Sequence, residues 1–160
     1  MTKETVHPRF LLRENLNKLA RELRLLGYDA AIYKQISFYN LCRIAARENR
    51  ILLTRSLSES KQKTNNQIIL IKADYVDQQL RQIRAILQFD PSIIFSRCSL
   101  CNKMLYEIDK KKIINFVPEY VLTHYSHFRI CRFCGHIYWE GDHHQAILKR
   151  LKNLFEEGKL

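Results

Sequence analysis

The sequence predicts a mostly parallel α/β unit over residues 1–90, followed over residues 91–160 by a zinc-ribbon module and a closing helix. Two observations carry this expectation. Short apolar runs alternate with stretches of helical apolar spacing through residues 1–90, the order that builds a parallel sheet flanked by helices. Beyond them, Cys98-Ser99-Leu100-Cys101 and Cys131-Arg132-Phe133-Cys134 form two C-x-x-C pairs separated by twenty-nine residues. That spacing belongs to a zinc ribbon, in which two knuckle turns offer four thiolates and leave no open position for a catalytic water. A structural zinc on Cys98, Cys101, Cys131 and Cys134 is therefore expected.

Taken in order, Arg9 to Leu12 reads as a buried strand. Leu16, Leu19, Ala20, Leu23 and Leu26 then recur at helical spacing over residues 14–26, and Gly27 supplies the left-handed end. A second strand is expected over residues 29–33, and a second helix over 38–48 with Leu41, Ile44 and Ala45 inward. Cys42 lies in that helix, apart from the four paired cysteines, and reads as an inert buried thiol. Ile51 to Thr54 and Gln67 to Ile71 are two further strands, and the polar stretch 55–66 between them is expected as a surface loop. A helix over 75–88 carries Val76, Leu80, Ile83 and Leu87 on one stripe, and Asp90-Pro91 closes the unit. Within the second module, Ile108, Ile113, Ile114 and Phe116 suggest a hairpin with Lys110, Lys111 and Lys112 at its tip. The last helix, 145–157, turns Ile147, Leu148, Leu151, Leu154 and Phe155 inward.

Charge bounds the partner. The chain has 27 Lys and Arg against 16 Asp and Glu, a formal net charge of +11, spread over both halves and not gathered in a tail. Such a balance suits a polyanion, with RNA or DNA expected ahead of a membrane and a protein with an acidic surface the alternative. Arg13, Lys18, Arg21, Arg24, Arg55, Lys110, Lys111 and Lys112 are the candidate nucleic-acid contacts. Arg97, Lys103, Arg129 and Arg132 flank the cysteines and are expected to offset the thiolate charge. Tyr106, Tyr125, Phe128, Phe133, Tyr138 and Trp139 supply rings that either stack unpaired bases or anchor the ribbon to its neighbour; anchoring is the expectation for Tyr138 and Trp139. Residues 1–10 hold no long apolar run, so a cytoplasmic location without membrane attachment is expected.

In an open parallel sheet, ligands meet the chain beyond the carboxyl ends of the strands, here at residues 13–15, 37–40 and 55–59. A metal-dependent phosphodiesterase needs clustered carboxylates there. Glu14 is the one weak catalytic candidate, too few by itself for magnesium or manganese, whereas Glu48, Glu59, Asp74 and Asp77 read as solvated surface acids. His124, His127, His136, His143 and His144 crowd the cysteine module, where a metal-free acid-base pair is conceivable and packing around the metal site is the commoner role.

Arg9-Phe10-Leu11-Leu12, the stretch from Leu19 to Asp29 ending in Gly27-Tyr28-Asp29, Arg50 to Arg55, Gln79-Leu80, Arg97 to Asn102, and Cys131 to Gly141 with His143 resemble, in that order, the ribonuclease family named for the C-terminal domain of the exonuclease Mut-seven. The resemblance covers nearly the whole chain and implies a PIN-like nuclease fold with a zinc ribbon and association with RNA. It also implies acids after the first strand, at the start of the second helix, and after Leu53-Thr54-Arg55. This chain has Arg13, Ser37 to Asn40, and Ser56 at those places. The resemblance therefore implies fold and RNA association without a carried-over catalytic site. A rearranged, active metal-dependent ribonuclease is the alternative, and a basic protein-interaction subunit of a larger complex is another.

Overall fold

The computed structural model describes residues 7–156. Its first sheet is parallel and four-stranded: β1 (Arg9–Leu12), β2 (Ala30–Ile32), β3 (Arg50–Thr54) and β4 (Ile68–Leu70), in the order β2-β1-β3-β4. β1 is central and covered on both faces, which is why Phe10-Leu11-Leu12 is a continuous apolar run. Alternation along the strand sorts its side chains. Phe10 and Leu12 face one layer, with Leu53 from β3, and meet helices α1 (Asn17–Leu25), α4 (Val76–Gln82) and α6 (Asp142–Glu156). Leu11 faces the other, with Leu52, and meets Leu41 and Ala45 of helix α2 (Phe38–Glu48).

A second sheet, antiparallel and three-stranded, carries the cysteine pairs: β5 (Leu105–Glu107), β6 (Phe128–Cys131) and β7 (Ile137–Trp139). Helix α6 follows it in sequence, yet Leu151 and Leu154 of α6 are buried in the core of the first sheet. The closing helix thereby ties the end of the chain to the α/β layer.

Four expectations need correction. Residues 55–66 are not loop throughout, because Ser56 caps a short helix α3 (Leu57–Ser60), its Oγ accepting from the Glu59 N–H at 3.3 Å. The helix expected over 75–88 ends at Gln82 and tightens into a 3₁₀ turn, Arg84–Ile86, which still delivers Ile83 and Leu87 to the core. The last helix begins earlier than expected, at Asp142, whose carboxylate suits the positive N-terminal end. Finally, the lysine run is not a hairpin tip. β5 ends at Glu107, Lys110–Lys112 make a 3₁₀ turn capped by Asp109, and helix α5 (Glu119–His124) precedes β6. Ile113 is buried with Val121, Leu122 and Phe128, so it drives the chain back under α5 and prevents a simple two-stranded ribbon.

Gly27 ends α1 at φ +93°, and a Cβ there would lie 2.2 Å from the Ile93 carbonyl oxygen. Gly27→Ala is expected to cost about 2 kcal/mol or more, since left-handed strain alone costs roughly 1–3 kcal/mol and backbone cannot yield as a flexible side chain does. Denaturant melting checks this; an alanine variant as stable as the parent contradicts the close approach.

Candidate functional site

Two places concentrate chemistry. At the first, each C-x-x-C pair turns through a residue of positive φ just after its second cysteine: Asn102 at 66° and Gly135 at 75°. Glycine takes that conformation freely and asparagine is among the few others that do. The turns are closed by Asn102 N–H to Cys98 O at 2.9 Å and Gly135 N–H to Cys131 O at 2.8 Å. They bring the four sulfurs within 4.8 Å of one another, with Cys98 Sγ 3.7 Å from Cys134 Sγ and Cys101 Sγ 3.3 Å from Cys131 Sγ. A tetrahedron of thiolates about 2.3 Å from a central zinc has edges of about 3.8 Å. The four cysteines thus fit a four-coordinate metal ion such as zinc.

The surroundings favour thiolate at Cys98, whereas burial and the neighbouring sulfurs push the Cys101 thiol up to about 12 and the Cys134 thiol is also raised. Burial alone would push the Cys98 thiol up, but hydrogen bonds from the Tyr138 hydroxyl (3.1 Å) and from the backbone N–H groups of Cys101 and Leu100 bring it down to about 7. Backbone N–H groups of Lys103 and His136 also point at Cys101 and Cys134. Tyr138 is therefore a half-buried neighbour of Cys98, and Trp139 packs with Phe128 and Ile137 under α5; Phe133 stays 74% exposed.

Arg24 corrects the sequence expectation. It is buried, donating from Nε to Ala30 O at 2.8 Å and from Nη1 to Ser99 O at 3.0 Å and Leu100 O at 2.9 Å. Burial lowers its pKa, while the Cys101 and Cys98 sulfurs raise it. It fastens the first knuckle to the α/β layer and supplies countercharge, so it is not a phosphate contact. Asn102 fastens the knuckle from the other side: its Oδ1 accepts from Ala30 N–H at 3.0 Å and its Nδ2 donates to Asp29 at 2.7 Å. Arg97 adds bonds to Gly27 O and Asn102 O, and Arg129 one to Phe95 O.

The second place is a pocket at the carboxyl end of the parallel sheet, between β1 and β3, where the strand order reverses. It is lined by Arg13, Glu14, Tyr33, Thr54, Ser56 and Glu59 among others. Arg13 forms an ion pair with Glu59 and donates to Ile36 O at 2.7 Å. The other Glu59 oxygen accepts from Thr54 Oγ1 at 2.6 Å, so both carboxylate oxygens are engaged. Glu14 is exposed at the rim, accepting from Gln35 N–H at 3.2 Å. Glu59, which reads in sequence as a surface acid, is the site residue that was missed. A signal for it exists: Ser56-Leu57-Ser58-Glu59 has the S-x-x-E spacing of a helix start, which fixes Glu59 one turn from the strand end. Among the described residues, the four cysteines are the group of three or more His, Cys, Asp and Glu that converges as a metal site.

The remaining candidates are dispersed. Lys18 and Arg21 are exposed on α1, and Lys111 and Lys112 on the 3₁₀ turn, with Lys110 partly covered. Arg55 pairs with Asp74 at 2.5 Å and donates to Ala73 O, which offsets its charge. Cys42 is half-buried, and burial pushes its thiol pKa up, in keeping with an unreactive role. His127, His136, His143 and His144 line a cleft beside the cysteine module, whereas His124 faces the Tyr120 carbonyl at 2.7 Å. His144 stacks on Phe95 with ring centroids 3.8 Å apart, and burial lowers its pKa. No described helix is long and apolar enough to cross a membrane.

Compared with known proteins, residues 8–151 match a family model described as Mut7-C RNAse domain. No match is found among curated proteins or among solved structures.

Proposed function

The chain belongs to the Mut7-C RNAse domain family, and from that premise we propose that it is an RNA-binding protein whose metal-dependent nuclease centre is degenerate. In this reading residues 1–90 are the PIN-like domain, residues 91–160 are the zinc-ribbon module with its helix, and the four cysteines hold a structural zinc. The protein works in the cytoplasm. The observation that carries the reading is the Arg13–Glu59 pair. At the strand ends where clustered carboxylates would hold magnesium or manganese against a phosphate, a guanidinium occupies the pocket and neutralises its inner acid. A cation placed there would be repelled by Arg13 and would find Glu59 already bonded on both oxygens.

One observation favours the second reading, an active ribonuclease: Glu14 and Glu59 line the same pocket. Cleavage of a labelled RNA in manganese separates the two. The wild-type chain is expected to give no metal-dependent turnover above background. Robust turnover lost on Glu14→Ala or Glu59→Ala overturns the degenerate-centre reading. RNA affinity is expected to fall steeply with salt, with a log–log slope of about −3 if about four phosphates of a single strand are contacted. A flat response favours an acidic protein partner instead.

A further inference from the structure

We propose that a single strand of RNA runs through one continuous groove, from the sheet-end pocket to the cleft beside the cysteine module, with Arg21 and Lys34 facing its phosphates. The inference rests on the RNA-binding reading and adds the path.

Three cavities lie along the proposed path, and neighbouring ones share lining residues. The sheet-end pocket and a middle segment have Glu14 and Tyr33 in common, and the middle segment and the cleft have Arg21 and Leu100 in common. The middle segment has two walls from distant parts of the chain. One is α1 with the residues after β2, and the other is the first knuckle, Leu100 to Lys103. Arg24 and Asn102 hold those walls together through the bonds to Ser99 O, Leu100 O, Ala30 N–H and Asp29, so the passage is built into the packing and needs no closure to form.

The chemistry changes along the path in the order a single strand requires. The middle is cationic at its surface: Arg21, Lys34 and Lys103 are exposed there and Glu14 is the one carboxylate in its lining, while Arg24 beneath is engaged by the first knuckle and Arg50 by Asp29 and Glu48. Phosphates are attracted to that segment. The cleft is larger, about 1070 Å³, and aromatic, with Tyr125, Tyr138 and Trp139 in its wall. Its volume reaches the upper end of the roughly 300–1,000 Å³ of ordinary ligand pockets, and aromatic walls suit unpaired bases, whose faces a duplex keeps stacked on each other. Acids and arginines are both present in the cleft, so it offers stacking more than charge. A competing surface exists on the outer face of the module, where Arg132 lies over the Tyr106 ring at 4.1 Å and Lys103 over the Phe133 ring at 5.7 Å. That face shares Lys103 with the middle segment, but Tyr106, Arg132 and Phe133 line none of the three cavities.

Fluorescence anisotropy with a labelled oligouridylate tests the path. Arg21→Glu and Lys34→Glu are each expected to weaken binding about tenfold or more and to flatten the salt slope by about 1, while Lys63→Glu, an equal charge change outside the groove, leaves affinity within about twofold. A blunt duplex RNA is expected to bind more weakly than the single strand. A photo-crosslinking side chain at Leu100 should capture the oligouridylate, and one at Phe133 should not. If the wild-type chain binds no RNA, the functional reading and the groove fall together. If it binds, and Arg21→Glu and Lys34→Glu bind equally well while Tyr106→Ala or Phe133→Ala does not, the groove is overturned and RNA binding stands. Circular dichroism and metal content of each variant exclude misfolding as the cause of a loss.

Discussion

A Cys98→Ser chain, or the wild-type chain after chelation, is expected to lose its metal and open β6 and β7 while the parallel sheet stays folded. Structural zinc sites in small domains are worth about 10–16 kcal/mol of apparent binding free energy, and three ligands retain only part of it. The loss falls unevenly for a physical reason. The first knuckle is fastened to the α/β layer by Arg24, Asn102 and Arg97 whether or not metal is bound. The second knuckle, Cys131 to Cys134, depends on β6 pairing and on the shared metal. Hydrogen exchange should therefore show amides of residues 128–139 losing protection first, those of residues 98–102 later, and those of Phe10 to Leu12 last. Elemental analysis is expected to give one zinc per chain in the wild type. Unchanged melting with no bound metal would falsify the ribbon assignment.

Asp29→Ala is expected to destabilise the fold by about 3 kcal/mol or more, because removing one partner of a buried pair leaves its charge uncompensated. Asp29 accepts from Arg50 at 2.7 and 3.1 Å, from Arg9 at 3.1 Å and from Asn102 at 2.7 Å. Arg50 is only 8% exposed and would keep Glu48 alone as its acidic partner. The same cluster makes a pH prediction. Burial pushes the Asp29 carboxyl up, but hydrogen bonds from Arg50 and Asn102 and the charges of Arg50 and Arg97 hold it at about 2, against 3.8 unperturbed. A depressed folded-state pKa gives stability that is complete above the unfolded value of 3.8 and is lost as pH falls toward 2. That contribution is about 2 kcal/mol. Urea melts near neutral pH and at about pH 3 should show a smaller acid loss for Asp29→Asn than for the wild type. Acid release of the metal is common to both chains and cancels in the difference. Equal acid sensitivity in the two would remove Asp29 from the account.

The elements of the fold were legible where the signal is local. Continuous apolar runs marked β1 and β3 because both faces of those strands are covered, and the leucines of α1 marked their helix because one stripe enters the core. The cysteine pairs were legible for a related reason, since a knuckle is a turn of a few residues whose spacing is written into the chain. The lysine turn was misread because Ile113 looks like a strand residue until its burial against Val121 and Phe128 is known. The helical start at Ser56 was overlooked in favour of the polar composition around it, although its capping spacing was present.

The charged residues divide differently. By itself the sequence determined a basic α/β chain with four cysteines at metal-ligand spacing, since composition, periodicity and ligand spacing are properties of the chain read in one dimension. Only the tertiary structure decided what each ion does. Arg24 reaches carbonyls 75 and 76 residues away, Asn102 reaches Asp29 across 73, and Arg13 reaches Glu59 across 46. A charge on a helix face looks alike in sequence whether it meets solvent, a carbonyl or a carboxylate, and its energy depends on which of these lies within a few ångströms. Folding supplies that neighbour, and so folding turned a candidate phosphate contact into the clamp of the first knuckle and a surface acid into the occupant of the sheet-end pocket.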